Sequence, residues 1–198
     1  MKTKRSKKRN DKTAGNWQYI NGSGWAHLLA HRPQFADRCD WSKLSGEDWM
    51  NLLRSQPGFA ERCDWSKLEG WHWVKLIGQC AKFADKCVWS KLNGGDWLDL
   101  LEVRPEFIDR CDWSTFRGED IMRLVCQSIG GRTPSLLSRL DDCDLSRLSA
   151  HEWPYILALC PELADRFEAV RRDWSQDRVC DGDFDNLDLG GERKLSLD

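Results

Sequence analysis

The sequence predicts an all-α fold, an α-solenoid of stacked 24-residue units with degenerate ends. Three observations carry this. Trp25, Trp49, Trp73 and Trp97 stand 24 residues apart, and so do Trp41, Trp65, Trp89 and Trp113. Cys39, Cys63, Cys87 and Cys111 keep the same spacing. In the first half of each unit the apolar residues follow the i, i+3, i+4 rhythm of a helix.

Four full units occupy 21–44, 45–68, 69–92 and 93–116 and share the pattern G-x-x-W-x-x-L-[LI]-x-x-x-P-x-F-[AI]-[DE]-[RK]-C-D-W-S-K-L. A half-unit at 15–20 precedes them, because Asn16-Trp17-Gln18-Tyr19-Ile20-Asn21-Gly22 matches the D-W-S-K-L-x-G stretch. Unit five, 117–148, is eight residues longer, with the extra residues around Gly130-Gly131-Arg132-Thr133-Pro134 and with Ile121 and Leu145 in the Trp columns. Unit six, 149–176, keeps Trp153, Leu157, Pro161 and Leu163, places Phe167 in the Cys column, and ends on a loose echo at Asp173-Trp174-Ser175. End units that drift are what capping a solenoid requires, since each has one face in water.

Each unit reads as a helix, a short helix and a tight turn, an alternation of α and 3₁₀ segments. In unit two, Ser45 and Asp48 form a capping box ahead of Trp49, Leu52 and Leu53, which share one helical face. Pro57 ends this helix and starts the next, where its missing N–H costs nothing. Phe59, Ala60 and Cys63 share a face of the short helix, and Asp64 caps a 3₁₀ turn over Trp65-Ser66-Lys67-Leu68. Gly46 and Gly70 suit the reversal into the next unit. A strand over F-x-D-x-C-x-W is the rival reading, but its alternation buries Asp37 beside Phe35 and Cys39.

The motif F-A-D-R-C-D-W-S-K-L-x-G-x-D-W-x-x-L-L resembles a tandem Trp/Cys repeat of uncharacterised bacterial proteins, over about residues 15–167. In period and layout the chain is also similar to leucine-rich repeat variant solenoids. That resemblance implies a right-handed α-solenoid scaffold with no known reaction. Proteins of that family can carry an iron–sulfur cluster in an N-terminal cysteine cluster, whereas the first cysteine here is Cys39, so no cofactor and no site residue carry over.

The formal charge of −2 conceals an asymmetry. Residues 1–12 hold seven basic side chains against one acid, and the remainder holds 23 basic against 31 acidic ones. Composition predicts a basic, disordered tail over 1–14, the repeat solenoid over 15–176, and an acidic, disordered tail over 177–198. Lys2, Lys4, Arg5, Lys7, Lys8 and Arg9 are the residues through which nucleic acid is contacted, if at all. No apolar run reaches membrane-span length, no signal-peptide core is visible, and nine cysteines is an odd number. The expectation is a cytoplasmic protein with reduced thiols.

Candidate chemistry is sparse. One cysteine per unit, with helices packed roughly 8–10 Å apart, suits neither a disulfide ladder nor a zinc site, so the Cys column reads as small buried hydrophobes. The Trp columns read as core, being in phase with Leu and Phe; Trp71 is off phase and is the tryptophan expected at the surface. The recurring pairs Asp37-Arg38, Glu61-Arg62, Asp85-Lys86, Asp109-Arg110 and Asp165-Arg166 read as a ladder of ion pairs between units. His27 and His31 are one turn apart without a third ligand in phase, so no metal is expected there. Asp181, Asp183, Asp185, Asn186 and Glu192 fit a calcium-loop template poorly: Asn stands for Gly at the sixth position and Asp188 for the apolar eighth. No catalytic constellation stands out.

The expected function is therefore that of a non-enzymatic scaffold that binds another protein. The expected partner-binding residues are His27, Asn51, Lys75 and Asp99, which share one outward helix column and differ in every unit, together with Trp71. The alternative is a nucleic-acid-associated protein acting through the basic tail.

Overall fold

A computed structural model describes residues 17–177, and among them every regular element is an α-helix or a 3₁₀ helix, with no strand. The chain divides into two compact bodies, Met1–Val88 and Trp89–Asp198.

In the first body a 3₁₀ turn, Trp17–Tyr19, precedes α1 (Gly22–His31), α2 (Gly46–Ser55) and α3 (Gly70–Gln79). Each helix is followed by a six-residue 3₁₀ segment, Pro33–Arg38, Pro57–Arg62 or Ala81–Lys86. Three-residue turns at Trp41–Lys43 and Trp65–Lys67 lead into the next unit. α1 packs on α2, α2 on α3, and each helix on the 3₁₀ segment that follows it.

The second body begins with Trp89–Lys91 and continues through α4 (Gly94–Val103), Pro105–Arg110, Trp113–Thr115, α5 (Gly118–Ile129), Pro134–Asp142, Leu145–Arg147, α6 (Trp153–Leu159), Pro161–Leu163 and α7 (Ala164–Asp177). Here α4 packs on α5 and α5 on α6. Each body is thus a stretch of all-α solenoid, and the second element of the regular units is 3₁₀ rather than α.

Local chemistry sets these boundaries. Ser45 and Asp48 form the expected capping box, and Asn93 with Asp96 forms another. Pro33, Pro57 and Pro105 each open a 3₁₀ segment, where a residue without an N–H is tolerated. Asp40, Asp64, Asp112 and Asp144 cap their turns in one manner, each Oδ1 accepting from the backbone N–H and the hydroxyl of the serine two residues on. The eight extra residues of unit five fall in three places. α5 is two residues longer than its predecessors, the turn after it is three longer, and the 3₁₀ segment is three longer. Gly131 makes that turn at φ 78°, a region only glycine enters freely.

The core is built from the first Trp column. Trp25, Trp49, Trp73, Trp97 and Trp153 are all fully buried, among leucines of the same helices such as Leu29, Leu52, Leu53 and Leu101. The second column differs from the sequence expectation at three of its four positions, Trp113 being buried as expected. Trp41, Trp65 and Trp89 are half-buried, each lying flat on the first-column Trp eight residues on, with ring centroids 5.3–5.4 Å apart. Their edges meet Phe59, Phe83 and Phe107 of the following unit. They lie at the joint between units, so a turn of the chain leaves one rim in water.

The cysteine column and the repeated glycine also differ from the sequence expectation. Cys39, Cys63, Cys87 and Cys111, each the extended residue that closes a 3₁₀ segment, are half-buried, not fully buried; Cys143 alone in that column is buried. The repeated glycine is a matter of space, since Gly22, Gly46, Gly94 and Gly118 begin α-helices with no unusual φ. A Cβ on Gly22 would lie 2.2 Å from the Lys43 carbonyl oxygen and 2.5 Å from Asp48 Oδ2. The echo Asp173-Trp174-Ser175 lies inside continuous α7.

Candidate partner-binding surface

The outward side of each α-helix is fixed by its apolar side. With Trp49, Met50, Leu52 and Leu53 turned into the core, α2 leaves Glu47, Asn51, Arg54 and Ser55 to solvent. The same phase exposes His27 and His31 on α1 and Trp71, Lys75 and Gln79 on α3. In the second body it exposes Asp99, Glu102 and Val103 on α4.

All four expected column residues therefore lie at the surface, and His27, Asn51 and Lys75 come from adjacent helices of the first body. Trp71, one turn before Lys75, is 45% exposed and stacks on the ring of His72 at 3.8 Å. His72 itself is buried and takes the helix position that Asp48 and Asp96 hold elsewhere, its Nδ1 accepting from the Glu69 N–H at 2.9 Å. Asp99 belongs to the second body, where it pairs with Arg123 of α5.

The charge pattern of the two bodies differs. In the second body the helix-side charges pair with one another: Asp99 with Arg123, Glu102 with Arg132 at 4.0 Å, Arg104 with Glu106 at 3.6 Å and Arg117 with Glu119 at 3.8 Å. On the 3₁₀ side of the bodies, Asp37 meets Arg62 at 3.8 Å, Asp109 meets Arg139 at 3.9 Å and Asp141 meets Arg166 at 2.5 Å, each across one unit boundary. These are rungs of the expected ladder. By contrast, Arg32, Arg54 and Lys75 on the helix side of the first body have no ion-pair partner among the described residues, and Arg54 bonds only the neutral Gln79, at 2.7 Å.

Two sets of residues escaped the sequence reading. Tyr155 occupies the outward column once the eight-residue insertion of unit five is allowed for, and it is 66% exposed. That offset was legible in the alignment of Trp153 with Ile121. The lysine of W-S-K-L is the second case. Lys43 Nζ donates to the carbonyls of Gln18 and Ile20, and Lys67 Nζ to those of Ser42 and Leu44, at 2.7–3.1 Å. Arg147 repeats the bridge to Ser114 and Phe116. The column is thus a clamp between units, signalled only by its regularity.

The remaining candidates stay apart. The rings of His27 and His31 are 4.6 Å apart, with His31 Nδ1 3.0 Å from the His27 carbonyl oxygen. Among the described residues no group of three His, Cys, Asp or Glu side chains is placed to hold a metal ion, and no helix is long and apolar enough to cross a membrane. The described cysteines are free thiols, and burial pushes Cys39 up to about 11 and Cys63 up to about 12. The basic segment Lys2–Arg9 and the calcium-loop stretch Asp181–Glu192 lie outside the described residues. Searches against protein-family models, curated proteins and solved structures return no match, so the surface is read from its own residues.

Proposed function

We propose that the chain is a non-enzymatic repeat scaffold that binds another protein through the outward column of its α-helices, His27, Asn51, Lys75 and Asp99, with Trp71 beside it. One observation carries this reading. Within the same helices the inward residues repeat almost unchanged and are buried, while the outward column is exposed and changes chemistry at every step: imidazole, amide, ammonium, carboxylate. Packing does not dictate residues on such a column, so they are available to set specificity on a uniform frame. An affinity pull-down with the full chain tests it. A defined protein set recovered by the wild type and lost when all four residues become alanine supports the reading; the same set recovered by both proteins refutes it.

A second reading rests on the seven basic residues among the first twelve. In it, the tail carries the chain to nucleic acid, and deletion of 1–12 abolishes a salt-sensitive interaction. An intact chain that ignores nucleic acid at low salt removes this reading.

A further inference from the structure

The helix side of the first body shows which chemistry its partner carries. Arg32 closes α1, Arg54 lies one turn beyond Asn51 on α2, and Lys75 follows Trp71 by one turn on α3. All three are exposed and none has an ion-pair partner among the described residues. Elsewhere in the described chain several charges of opposite sign are set against each other, along the 3₁₀ ladder and across the helices of the second body. Around the three cations stand polar groups that donate or accept hydrogen bonds, namely His27, His31, Asn51 and Gln79. Glu47 on α2 and Glu69 at the N-cap of α3 are the exposed acids beside them.

Resting on the protein-binding reading above, we infer that the helix side of α1–α3 docks an acidic polypeptide segment, with an apolar or aromatic side chain of that segment seated on Trp71. Charge complementarity sets the sign of the partner. Three cations on three successive helices match carboxylates spread along an extended or helical segment, and the Trp71 face supplies the aromatic anchor that concentrates binding energy at interfaces. A phosphate backbone suits this surface less well, because Glu47 interrupts it and the cations are isolated rather than clustered.

Peptide display against the full-length protein tests the inference, with R32E/R54E/K75E and the milder R32Q/R54Q/K75Q as counter-targets, both checked for native helicity by circular dichroism. The expected result is enrichment of peptides rich in Asp and Glu around one aromatic or large apolar residue. Synthetic copies of them should bind the wild type and lose about tenfold or more in affinity for each variant. Acidic peptides that bind wild type and both variants alike, as they would if held by residues 1–12, overturn the inference. Enrichment of neutral or basic peptides whose binding the outward-column substitutions abolish also overturns it, but leaves the protein-binding reading standing. No enrichment at all counts against both. A single-stranded oligonucleotide that binds the wild type and fails on the triple variants overturns it in favour of nucleic acid.

Discussion

The guanidinium carbon of Arg62 lies 5.4 Å from the ring centroid of Trp41, over the half-exposed face of that indole. The other face of Trp41 lies against Trp49, with the planes 9° apart. A tryptophan at the joint between two units is therefore closed by a tryptophan, a phenylalanine and an arginine that all come from the next unit. Arg38 over Trp17, Arg110 over Trp89 and Arg139 over Trp113 repeat the closure. R62A should cost about 1 kcal/mol in chemical denaturation, most of it from the ring contact, since the 3.8 Å pair with Asp37 is exposed. D37A should then change stability by less than about 0.5 kcal/mol. Equal losses from the two variants would show that the ion pair, and not the stack, holds the joint.

The lysine clamp makes a prediction in both directions. K67M keeps the aliphatic stem and removes two charge-assisted hydrogen bonds to Ser42 and Leu44, which should destabilise the chain by about 1–3 kcal/mol. At the corresponding place in unit four the residue is Thr115, whose hydroxyl donates to the Asp112 carbonyl. T115K should reach the carbonyls of Ser90 and Leu92 and raise stability by up to about 1 kcal/mol. No change for either variant in urea unfolding would reduce the column to surface decoration.

The glycines separate space from flexibility. A Cβ at Gly46 would lie 2.2 Å from the Lys67 carbonyl oxygen and 3.0 Å from His72 Cε1, whereas one at Gly58 would meet nothing within 4 Å. G46A should therefore destabilise by about 3 kcal/mol or more through overpacking. G58A should be neutral or stabilising by up to about 1 kcal/mol, because the unfolded chain loses freedom. Similar effects of the two changes on melting temperature would contradict the contact argument.

The thiols predict a pH dependence at the alkaline end. Burial favours the neutral form of Cys39, Cys63 and Cys143, raising them from an ordinary 9.0 to about 11, about 12 and about 11. The stability that these neutral thiols contribute is fully present below pH 9 and is lost as pH climbs through 11 to 12. Alkylation by iodoacetamide at neutral pH should accordingly modify exposed Cys126 well before Cys63, and Cys63 should match it only in denaturant. Peptide mapping that finds Cys63 labelled first would show that the joint is open in solution.

Much of this fold was legible in the sequence because its signals are local. The capping box of Ser45 and Asp48, the Asp64 turn and the proline starts each involve residues within four positions of one another, and each formed as expected. What escaped involves partners a unit away. The targets of Lys67 are 23 and 25 residues distant, and the atoms that exclude a side chain at Gly22 belong to Lys43 and Asp48. Periodicity placed these residues in columns without telling which neighbouring column they touch. The half-burial of Trp41 and Cys39 has the same origin: their phase is apolar, but they lie where one unit hands over to the next. The outward column was legible for the opposite reason, since what fails to repeat in a strict repeat is what packing does not require.

Thermal unfolding of H27A/N51A/K75A beside W49A tests that division most directly. The three outward residues are exposed and Trp49 is fully buried. The triple variant should unfold within about 0.5 kcal/mol of the wild type, while W49A should lose about 3–5 kcal/mol and roughly 10 °C in Tm. A triple variant as unstable as W49A would mean that the column is part of the frame, and would contradict its assignment as the binding surface.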